Sequence, residues 1–292
     1  MSSSSKPPSA TGPVREPRTL FAVPIGATGS DHPGGTIVCT EPEAAVYVLT
    51  FTSPPDNRFT TAFCAAMLEA LDLIQFGGYK PGVVITTSGI PKFYSNGLDL
   101  RHAVSTPGYW AGSLYKLFLR FLTYPMPTIA LINGHAFAGG LMLAMHHDYR
   151  VMNPKRGFAC LNELEFGAPL KPAMSGIFRV KLRDPAAYRS LVLEAHRFPG
   201  PEARDAGLVD ALGETVGDVM EALVRPRRLV EKGQTGVYGL LKAEMYRECI
   251  GYLTPEGHEK GELWENWLKG EEEERKRAGQ RAGQQWKAKG KL

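Results

Sequence analysis

The sequence predicts an α/β fold built around a parallel sheet with helices on both of its faces. Three short β-branched runs, AVYVLTF (45–51), GVVITTS (82–88) and TIALIN (128–133), alternate with stretches of helical spacing. Runs that are apolar almost throughout are typical of parallel strands buried on both faces. The 292 residues and the 43% hydrophobic content are enough for a large core, which excludes a wholly disordered chain.

Helical stretches separate and follow these strands. The first covers residues 60–76 and ends at a Gly-Gly pair, as glycine is favoured just past the end of a helix. Pro201, directly after a glycine, marks the start of another helix. Periodic stretches at about 214–231 and about 235–251 predict that the C-terminal part is helical.

Composition divides the chain into four segments. Residues 1–19 contain five serines and four prolines and lack the apolar stretch of a secretory signal, so a disordered arm is expected. A core domain at 20–215 and a helical region at 216–270 follow. Residues 271–292 carry four acids and then seven basic residues, which is more typical of a solvated helix or frayed tail than of a polyanion site.

The charge and the metal-binding residue types limit the kinds of ligand. A net charge of +4 suits an anionic ligand but is far below that of a dedicated nucleic-acid binder. The four cysteines are widely spaced, which disfavours a disulfide scaffold and a zinc site. His146, His147 and Asp148 are adjacent, so on a helix their side chains point away from one another. We therefore expect no metal and no nucleic-acid partner.

The longest apolar run, at 127–145, has the length of a membrane span. It contains Asn133, His135 and three glycines, and the polar HHDYR follows it directly. A buried strand, a turn and a helix are expected here instead, with no membrane span. Within the turn, His135 is expected to be a loop histidine with its hydrogen bonds satisfied.

Two glycine turns follow successive buried strands. In KFYSNGLDL, Gly97 can adopt backbone angles closed to other residues, and the aspartate after Leu98 can cap the next helix. In INGHAFAGGLMLAMHHD, Gly139 and Gly140 open an apolar helix whose first amides lack partners. Two such turns can direct two N–H groups at one oxygen, which is the geometry of an oxyanion hole.

These turns, together with EARDAGLVDAL, resemble the crotonase superfamily, whose members bind acyl-CoA thioesters and stabilise a thioester enolate. The resemblance covers about residues 36–215 and implies the crotonase-like fold of repeated strand–helix units. It implies that the amides of Leu98 and Gly139 are the oxyanion donors. It also places the backbone near Ser95 and Asn96 against the CoA adenine.

The acids indicate which reaction of the superfamily applies. Hydratases of this kind use two glutamates, and Met142 stands at the first of these positions. The second lies in FACLNELEFGAPL, where Glu163 matches and Glu165 lies two residues further on. This stretch and the KFYSNGLDL turn are similar to those of Δ3,Δ2-enoyl-CoA isomerases. The resemblance therefore makes Glu163 the proton shuttle, strengthened as a base by apolar neighbours such as Leu161, Leu164 and Met142.

The resemblance implies isomerisation of a 3-enoyl-CoA to trans-2-enoyl-CoA in fatty-acid degradation. Coenzyme A is then part of the substrate, and no separate cofactor is expected. Gly97, Gly140, Met142 and Trp110 are expected to contact the substrate with Ser95 and Asn96; for Trp110, core or subunit packing is an equal alternative. Helices at the C-terminus imply a homotrimer or a dimer of trimers.

Two alternatives remain open at this point. One keeps the oxyanion hole but uses another acid, such as Glu165, for hydration, hydrolysis or decarboxylation. The other is a non-catalytic acyl-CoA-binding subunit in which Glu163 faces away from the ligand. The C-terminal GKL loosely resembles a peroxisomal tripeptide, so a peroxisomal or cytoplasmic location is expected.

Overall fold

A computed structural model describes residues 18–290 of the chain. Its strands form a seven-stranded sheet in the order β1-β2-β3-β4-β6-β8-β10 and a three-stranded sheet in the order β5-β7-β9. In chain order the strands of this described part are β1 Arg18–Ile25, β2 Gly35–Glu43, β3 Val46–Thr52, β4 Val83–Ser88, β5 Phe93–Ser95, β6 Thr128–Ile132, β7 His135–Phe137, β8 Tyr149–Met152, β9 Ala159–Cys160 and β10 Ala211–Leu212.

In residues 18–290, helices occupy four of the nine connections between strands and most of the chain after β10. They are α1 Thr61–Phe76, α2 Leu100–Ser105, α3 Tyr115–Thr123, α4 Gly139–His146, α5 Glu163–Phe166, α6 Pro172–Lys181, α7 Pro185–Leu193, α8 Gly200–Asp205, α9 Val216–Val219, α10 Leu229–Gly233, α11 Tyr238–Met245, α12 Arg247–Leu253 and α13 Pro255–Ala288. Two π-helical turns, Trp110–Leu114 and Met220–Val224, lead into α3 and follow α9.

The three predicted strands are β3, β4 and β6, and they lie side by side in parallel, as expected. Alternate residues of β4 belong to different hydrophobic clusters. Val83 and Ile85 belong to a cluster with Met220, whereas Val84 belongs to the larger cluster that includes Phe63. The sheet is therefore buried on both faces, which confirms the predicted α/β architecture. The antiparallel pair β1 and β2 at its edge was not predicted.

Several predicted boundaries move. Arg18 and Thr19, assigned to the disordered arm, pair with β2 and so belong to a strand; the remaining predicted arm, 1–17, lies outside the described residues. The helix predicted from Pro201 begins one residue earlier. The stretches at 214–231 and 235–251 are each divided, the first by a π-helical turn and the second between α11 and α12.

The apolar run at 127–145 forms β6, β7 and most of α4, so the predicted buried strand, turn and helix are confirmed. Of the helices within residues 18–290, none is long and apolar enough to cross a membrane. At the C-terminus, α13 continues without a break through the predicted boundary at 270–271. The last two residues of the GKL tripeptide lie outside the described part.

The smaller sheet brings the predicted site segments together. Its strands are parallel, with β7 between β5 and β9. The segment after β5 is the first glycine turn, the segment after β7 is the second, and α5 with Glu163 follows β9. Because the carboxyl ends of parallel strands meet at one edge of a sheet, all three segments lie at the same edge.

Candidate active site

The first glycine turn joins β5 to α2. Gly97 has a φ of +80°, in the left-handed region that favours glycine. A Cβ at this position would lie 2.8 Å from the amide nitrogen of Gly139, so only glycine fits between the two turns. Asp99 caps α2 by accepting a hydrogen bond of 3.0 Å from the amide of His102, as predicted.

The second turn joins β7 to α4 and lies directly against the first. A Cβ at Gly140 would lie 2.4 Å from the carbonyl oxygen of Ser95. The residue before the helix, Ala138, has a φ of +48° and a ψ of −121°, a conformation that side chains rarely adopt. Its amide donates to the carbonyl of Cys160 in β9 over 2.9 Å, and this bond fixes the turn to the neighbouring strand.

Two unpaired amides lie side by side where the turns meet. Across residues 18–290, no acceptor pairs with the N–H of Leu98 or with the N–H of Gly139. The Cβ position of Gly139 is only 3.1 Å from the Leu98 side chain and 3.4 Å from the Gly97 Cα. Free backbone donors placed together in this way are chemically suited to hold one negatively charged oxygen.

Glu163 is the first residue of α5 and is only 6% exposed. Its Oε2 has no hydrogen-bond partner within the described part of the chain. Burial raises the pKa of the carboxyl from 4.5 to about 7, and a hydrogen bond from its own backbone amide opposes this shift. A carboxyl group with this pKa can both accept and return a proton near neutral pH.

Glu165, the alternative acid, lies in different surroundings. Its carboxylate is 45% exposed and pairs with Arg197 at 3.1 Å. It does not line the cavity that Glu163 lines. The structure therefore places Glu163, and not Glu165, beside the two glycine turns.

Glu163 and the turns border a cavity of about 500 Å³. Four of the predicted site residues line it, and they are Asn96, Leu98, Trp110 and Glu163. The lining residues that the sequence did not indicate are mostly apolar, and they are Arg58, Leu100, Val104, Ala138, Asn162, Phe166, Ala168, Pro169, Lys171 and Met174. Among all of these, Glu163 is the only acid.

The predicted site residues Gly97 and Gly139 are chain neighbours of the lining residues Leu98 and Ala138, whereas the remaining three lie behind the cavity wall. Ser95 is buried, and its hydroxyl donates to the carbonyl of Asn57 over 2.7 Å and accepts from the amide of Gly97. Gly140 is buried against it. Met142, expected to contact the substrate, has no exposed surface and belongs to the large hydrophobic core. Backbone packing explains these positions, because each lies inside the turn or helix and not on its surface.

A polar cluster at the cavity edge was not predicted from the sequence. Arg58 donates to the carbonyl of Leu98 over 2.9 Å and pairs with Asp56 at 3.0 Å. Asp56 also accepts a hydrogen bond of 2.6 Å from Asn96. The contacts with Leu98 and Asn96 join residues 40 positions apart in the chain, and no local motif signals such a pairing. They hold the first turn in place from the side of the cavity.

The histidines outside the cavity have separate surroundings. His146 stacks on Phe118 with the ring centroids 4.1 Å apart, and the Nε2 atom of His147 lies 2.8 Å from the hydroxyl of Thr86. Asp148 pairs with Lys242. No group of three potential metal ligands occurs among residues 18–290.

His135 differs from expectation. Its Nδ1 is buried without a hydrogen-bond partner in the described structure, so the prediction of a satisfied histidine is wrong. The ring lies among Phe93, Phe137 and Phe158. Burial lowers its pKa, and nearby positive charges lower it further. These aromatic neighbours supply no acceptor, which is why the ring nitrogen has no partner.

Known proteins resemble the chain over most of its length. A model of the enoyl-CoA hydratase/isomerase family matches residues 41–259. Enoyl-CoA delta isomerase 2, peroxisomal, from Arabidopsis thaliana is 33% identical, covering 74% of this chain and 95% of its own. Enoyl-CoA delta isomerase 1, mitochondrial, from Homo sapiens is 31% identical over 63% of each chain.

Two solved structures illustrate the likeness in fold. Human mitochondrial delta3-delta2-enoyl-CoA isomerase matches with a TM-score of 0.57 and 24% identity, over 80% of this chain and 98% of that one. An enoyl-CoA hydratase from Bacillus halodurans matches with a TM-score of 0.64 and 20% identity, over 77% and 92%. The chain therefore shares its fold with proteins named for different reactions.

Proposed function

The chain belongs to the enoyl-CoA hydratase/isomerase family, the crotonase superfamily, and from this membership we propose that it isomerises 3-enoyl-CoA to trans-2-enoyl-CoA. The membership confirms the resemblance read from the two turns and the crotonase-like fold that it implied. Several curated relatives are named enoyl-CoA delta isomerases, which supports an enzyme of this type.

The observation that carries the proposal is a single buried carboxylate in the cavity. Moving the double bond from carbon 3 to carbon 2 removes a proton from carbon 2 and adds one at carbon 4. Glu163, as the only acid lining the cavity within residues 18–290, performs both transfers in turn. A pKa of about 7 suits this role, because neither protonation state of the carboxyl is strongly favoured near neutral pH.

The charge between the two transfers resides on the thioester oxygen. When Glu163 takes the proton, the electron pair of the broken C–H bond delocalises onto this oxygen and gives an enolate. The free amides of Leu98 and Gly139 then stabilise the oxyanion. Collapse of the enolate as carbon 4 takes the proton from Glu163 restores the carboxylate and completes the turnover. Each donor of an oxyanion hole is worth about 10²–10³ in rate.

Hydration is disfavoured because it needs a second acid to hold water. In this chain Met142 stands at the position of the hydratases' other acid, and it is fully buried in the core. A thioether cannot accept a proton at neutral pH. We therefore expect crotonyl-CoA to be hydrated far more slowly than a 3-enoyl-CoA is isomerised.

The apolar lining suits the acyl chain, and the polar edge suits coenzyme A. Leu100, Phe166 and Met174 present apolar surface to the cavity, whereas Arg58 and Asn96 are polar. We retain the expectation that the backbone near Ser95 and Asn96 contacts the adenine, with coenzyme A as part of the substrate.

Turnover of 3-hexenoyl-CoA tests the proposal. Glu163→Gln keeps the shape of the side chain but cannot take up the proton, so kcat should fall at least 10²-fold while affinity for a CoA ester stays within several-fold. Glu165→Gln is the matched control, because it removes an exposed carboxylate two residues away. Wild-type turnover in Glu163→Gln would refute the proposal, as would crotonyl-CoA hydration as fast as isomerisation. Binding of CoA esters without turnover would instead indicate the non-catalytic subunit.

The assembly and the location are also proposals. Leu240, Leu241 and Met245 on α11 are between 65% and 72% exposed, and such a patch suits burial between subunits of a trimer. Light scattering on the purified chain would distinguish a monomer, a trimer and a dimer of trimers. Some relatives are named peroxisomal and others mitochondrial, so imaging of the tagged chain in cells is the test of a peroxisomal location.

A further inference from the structure

One wall of the cavity is connected to the long C-terminal helix. Trp110 reaches the cavity from the π-helical turn before α3, and Lys171 reaches it from the residue that precedes α6. The ammonium of Lys171 lies 5.6 Å from the centroid of the Trp110 ring. This distance is within the range of a cation–π interaction, so Lys171 restrains the position of the indole.

The opposite side of Lys171 is held by α13. Its ammonium pairs with Glu262 and lies 3.4 Å from the Oε2 atom of Glu265. The side chains of Lys171 and Glu265 are only 20% and 24% exposed, and partly buried pairs are screened by salt less than exposed ones. Helix α13 therefore fixes the position of Lys171, and Lys171 in turn restrains the indole of Trp110.

A second contact joins the same wall to the same helix. The ring of Tyr115 lies 6.3 Å from that of Trp110 and 5.5 Å from that of His258, near the start of α13. The Tyr115 hydroxyl is buried and has no hydrogen-bond partner among the described residues. Packing alone fixes this ring, so its position depends on where α13 lies.

We propose that Lys171 is a positioning residue that couples the docking of α13 to the Trp110 wall, and that this coupling sets which acyl chains the cavity accepts. The inference rests on the proposed function only in taking an acyl-CoA as the ligand. Lys171 itself lines the cavity, whereas Glu262 and Glu265 do not, so removing the two glutamates tests the effect that reaches the ligand through Lys171 and the indole. Loosening them enlarges the space for longer chains.

Binding of saturated acyl-CoA esters tests this coupling without catalysis. Hexanoyl-CoA and dodecanoyl-CoA have no double bond to move, so calorimetry gives their Kd values whether or not the chain is an isomerase. The measured quantity is the ratio of the two Kd values, which cancels effects on the CoA portion. Trp110→Ala should shift this ratio towards the longer chain by about tenfold or more, because it opens room for several methylenes.

Variants of the link are compared with a matched control. Lys171→Met keeps the apolar stem and removes the charge. The double variant Glu262→Gln with Glu265→Gln removes the ion pairs by changing the residues of α13. Each should shift the ratio towards dodecanoyl-CoA by about two- to fivefold, the range of one cation–π contact. Lys171→Arg should restore the wild-type ratio. Glu271→Gln, on the same helix and near Arg275, should leave it unchanged.

The outcomes separate the inference from the proposed function. Wild-type ratios in both Lys171→Met and the double glutamine variant would overturn the coupling, as would no shift in Trp110→Ala. If Lys171→Met fails to fold, the double glutamine variant alone tests the coupling, because Glu262 and Glu265 lie on α13 and do not line the cavity. If the esters bind with the expected shifts but 3-hexenoyl-CoA is not isomerised, the proposed function fails and the inference stands.

Discussion

At the scale of single residues, Glu163 is unlike the other buried charges of the molecule. Lys242 pairs with Asp148 at 2.8 Å, and Arg150 pairs with Asp210 at 2.7 Å. Of the carboxylates within residues 18–290, Glu163 alone has a buried oxygen without a hydrogen bond. Leaving a buried polar group unpaired costs stability, so the fold retains this residue at a thermodynamic disadvantage, which is consistent with the proposed role as proton shuttle.

The activity should follow the titration of Glu163. The first step needs the carboxylate form, and burial raises the pKa of this group to about 7. We therefore expect kcat/KM for 3-hexenoyl-CoA to rise about tenfold per pH unit below this value and to level off above it. A profile with its midpoint near 4.5, the ordinary value for a glutamate, would contradict the assignment.

The free energy of unfolding should fall with rising pH as Glu163 ionises, whereas the activity rises. Between pH 4.5 and about 7 the native chain binds a proton at Glu163 that the unfolded chain has released. Stability therefore falls as the pH rises through this window. Glu163→Gln removes this pH dependence. The free energy of unfolding of the variant, relative to that of the wild type, should therefore increase by up to about 3 kcal/mol from pH 5 to pH 8. Urea unfolding of both proteins at both pH values measures the gain.

Ala138 is expected to store backbone strain beside the cavity. Its φ of +48° and ψ of −121° are accessible to glycine at much lower energy. Ala138→Gly should therefore raise the free energy of unfolding by about 1 kcal/mol. Ala65, exposed within α1, gives the matched control, because Ala65→Gly should lower stability by about 1 kcal/mol. Equal losses in both variants would show that Ala138 is not strained.

At the scale of elements, the site depends on backbone contact between two turns that follow β5 and β7. The carbonyl of Ser95 lies against Gly140, and the amide of Gly139 lies against Gly97. No side chain fits at either contact. The free amides therefore owe their proximity to the absence of two Cβ atoms.

A methyl group at Gly140 should separate the turns. The new Cβ would lie 2.4 Å from the Ser95 carbonyl oxygen, so either the helix or the turn must shift. We expect Gly140→Ala to lower kcat by about 10²–10³, as for the loss of one oxyanion donor. Gly270→Ala, in α13 with open space around its Cβ, should keep full turnover. Normal turnover in Gly140→Ala would exclude the paired amides as the oxyanion hole.

At the scale of the whole molecule, α13 has two different halves. Its first half carries Glu262 and Glu265, which contact the cavity wall through Lys171. No residue of α13 is fully buried, but from position 271 onward all described residues except Glu271 and Gly283 are exposed. Ion pairs there, such as that of Arg275 with Glu271, stay within the helix. The two halves should contribute differently to the folded core.

Truncation should separate the two halves of α13. A chain that ends at Gly270 loses a segment whose described residues are almost all exposed, and exposed ion pairs contribute about 0–1 kcal/mol each. Its Tm should stay within a few degrees of the wild type and its turnover should not change. A chain that ends before Pro255 loses both links to Trp110, so the ratio of its Kd values for hexanoyl-CoA and dodecanoyl-CoA should shift towards the longer ester. Loss of turnover on removal of 271–292 alone would show that this segment acts in the active site.

Local sequence patterns predict three central strands of the large sheet and the conformation of the two turns, and a short motif indicates the acid. Strands β3, β4 and β6 were predictable because they are buried on both faces and so are apolar almost throughout. Gly97 and Asp99 have their predicted roles because positive φ and helix capping are local properties of the chain. Glu163 was found because a short motif carries it, and its role remains to be tested by the variants above.

The surroundings of these residues depend on the tertiary structure. The polar cluster of Asp56, Arg58 and Asn96 and the link from Lys171 to α13 join segments far apart in sequence. Met142 proved to be a core residue, and the raised pKa of Glu163 follows from burial that no local pattern reports. Periodicity and turn chemistry are encoded by neighbours along the chain, whereas desolvation and ion pairing depend on which distant segments the fold brings together.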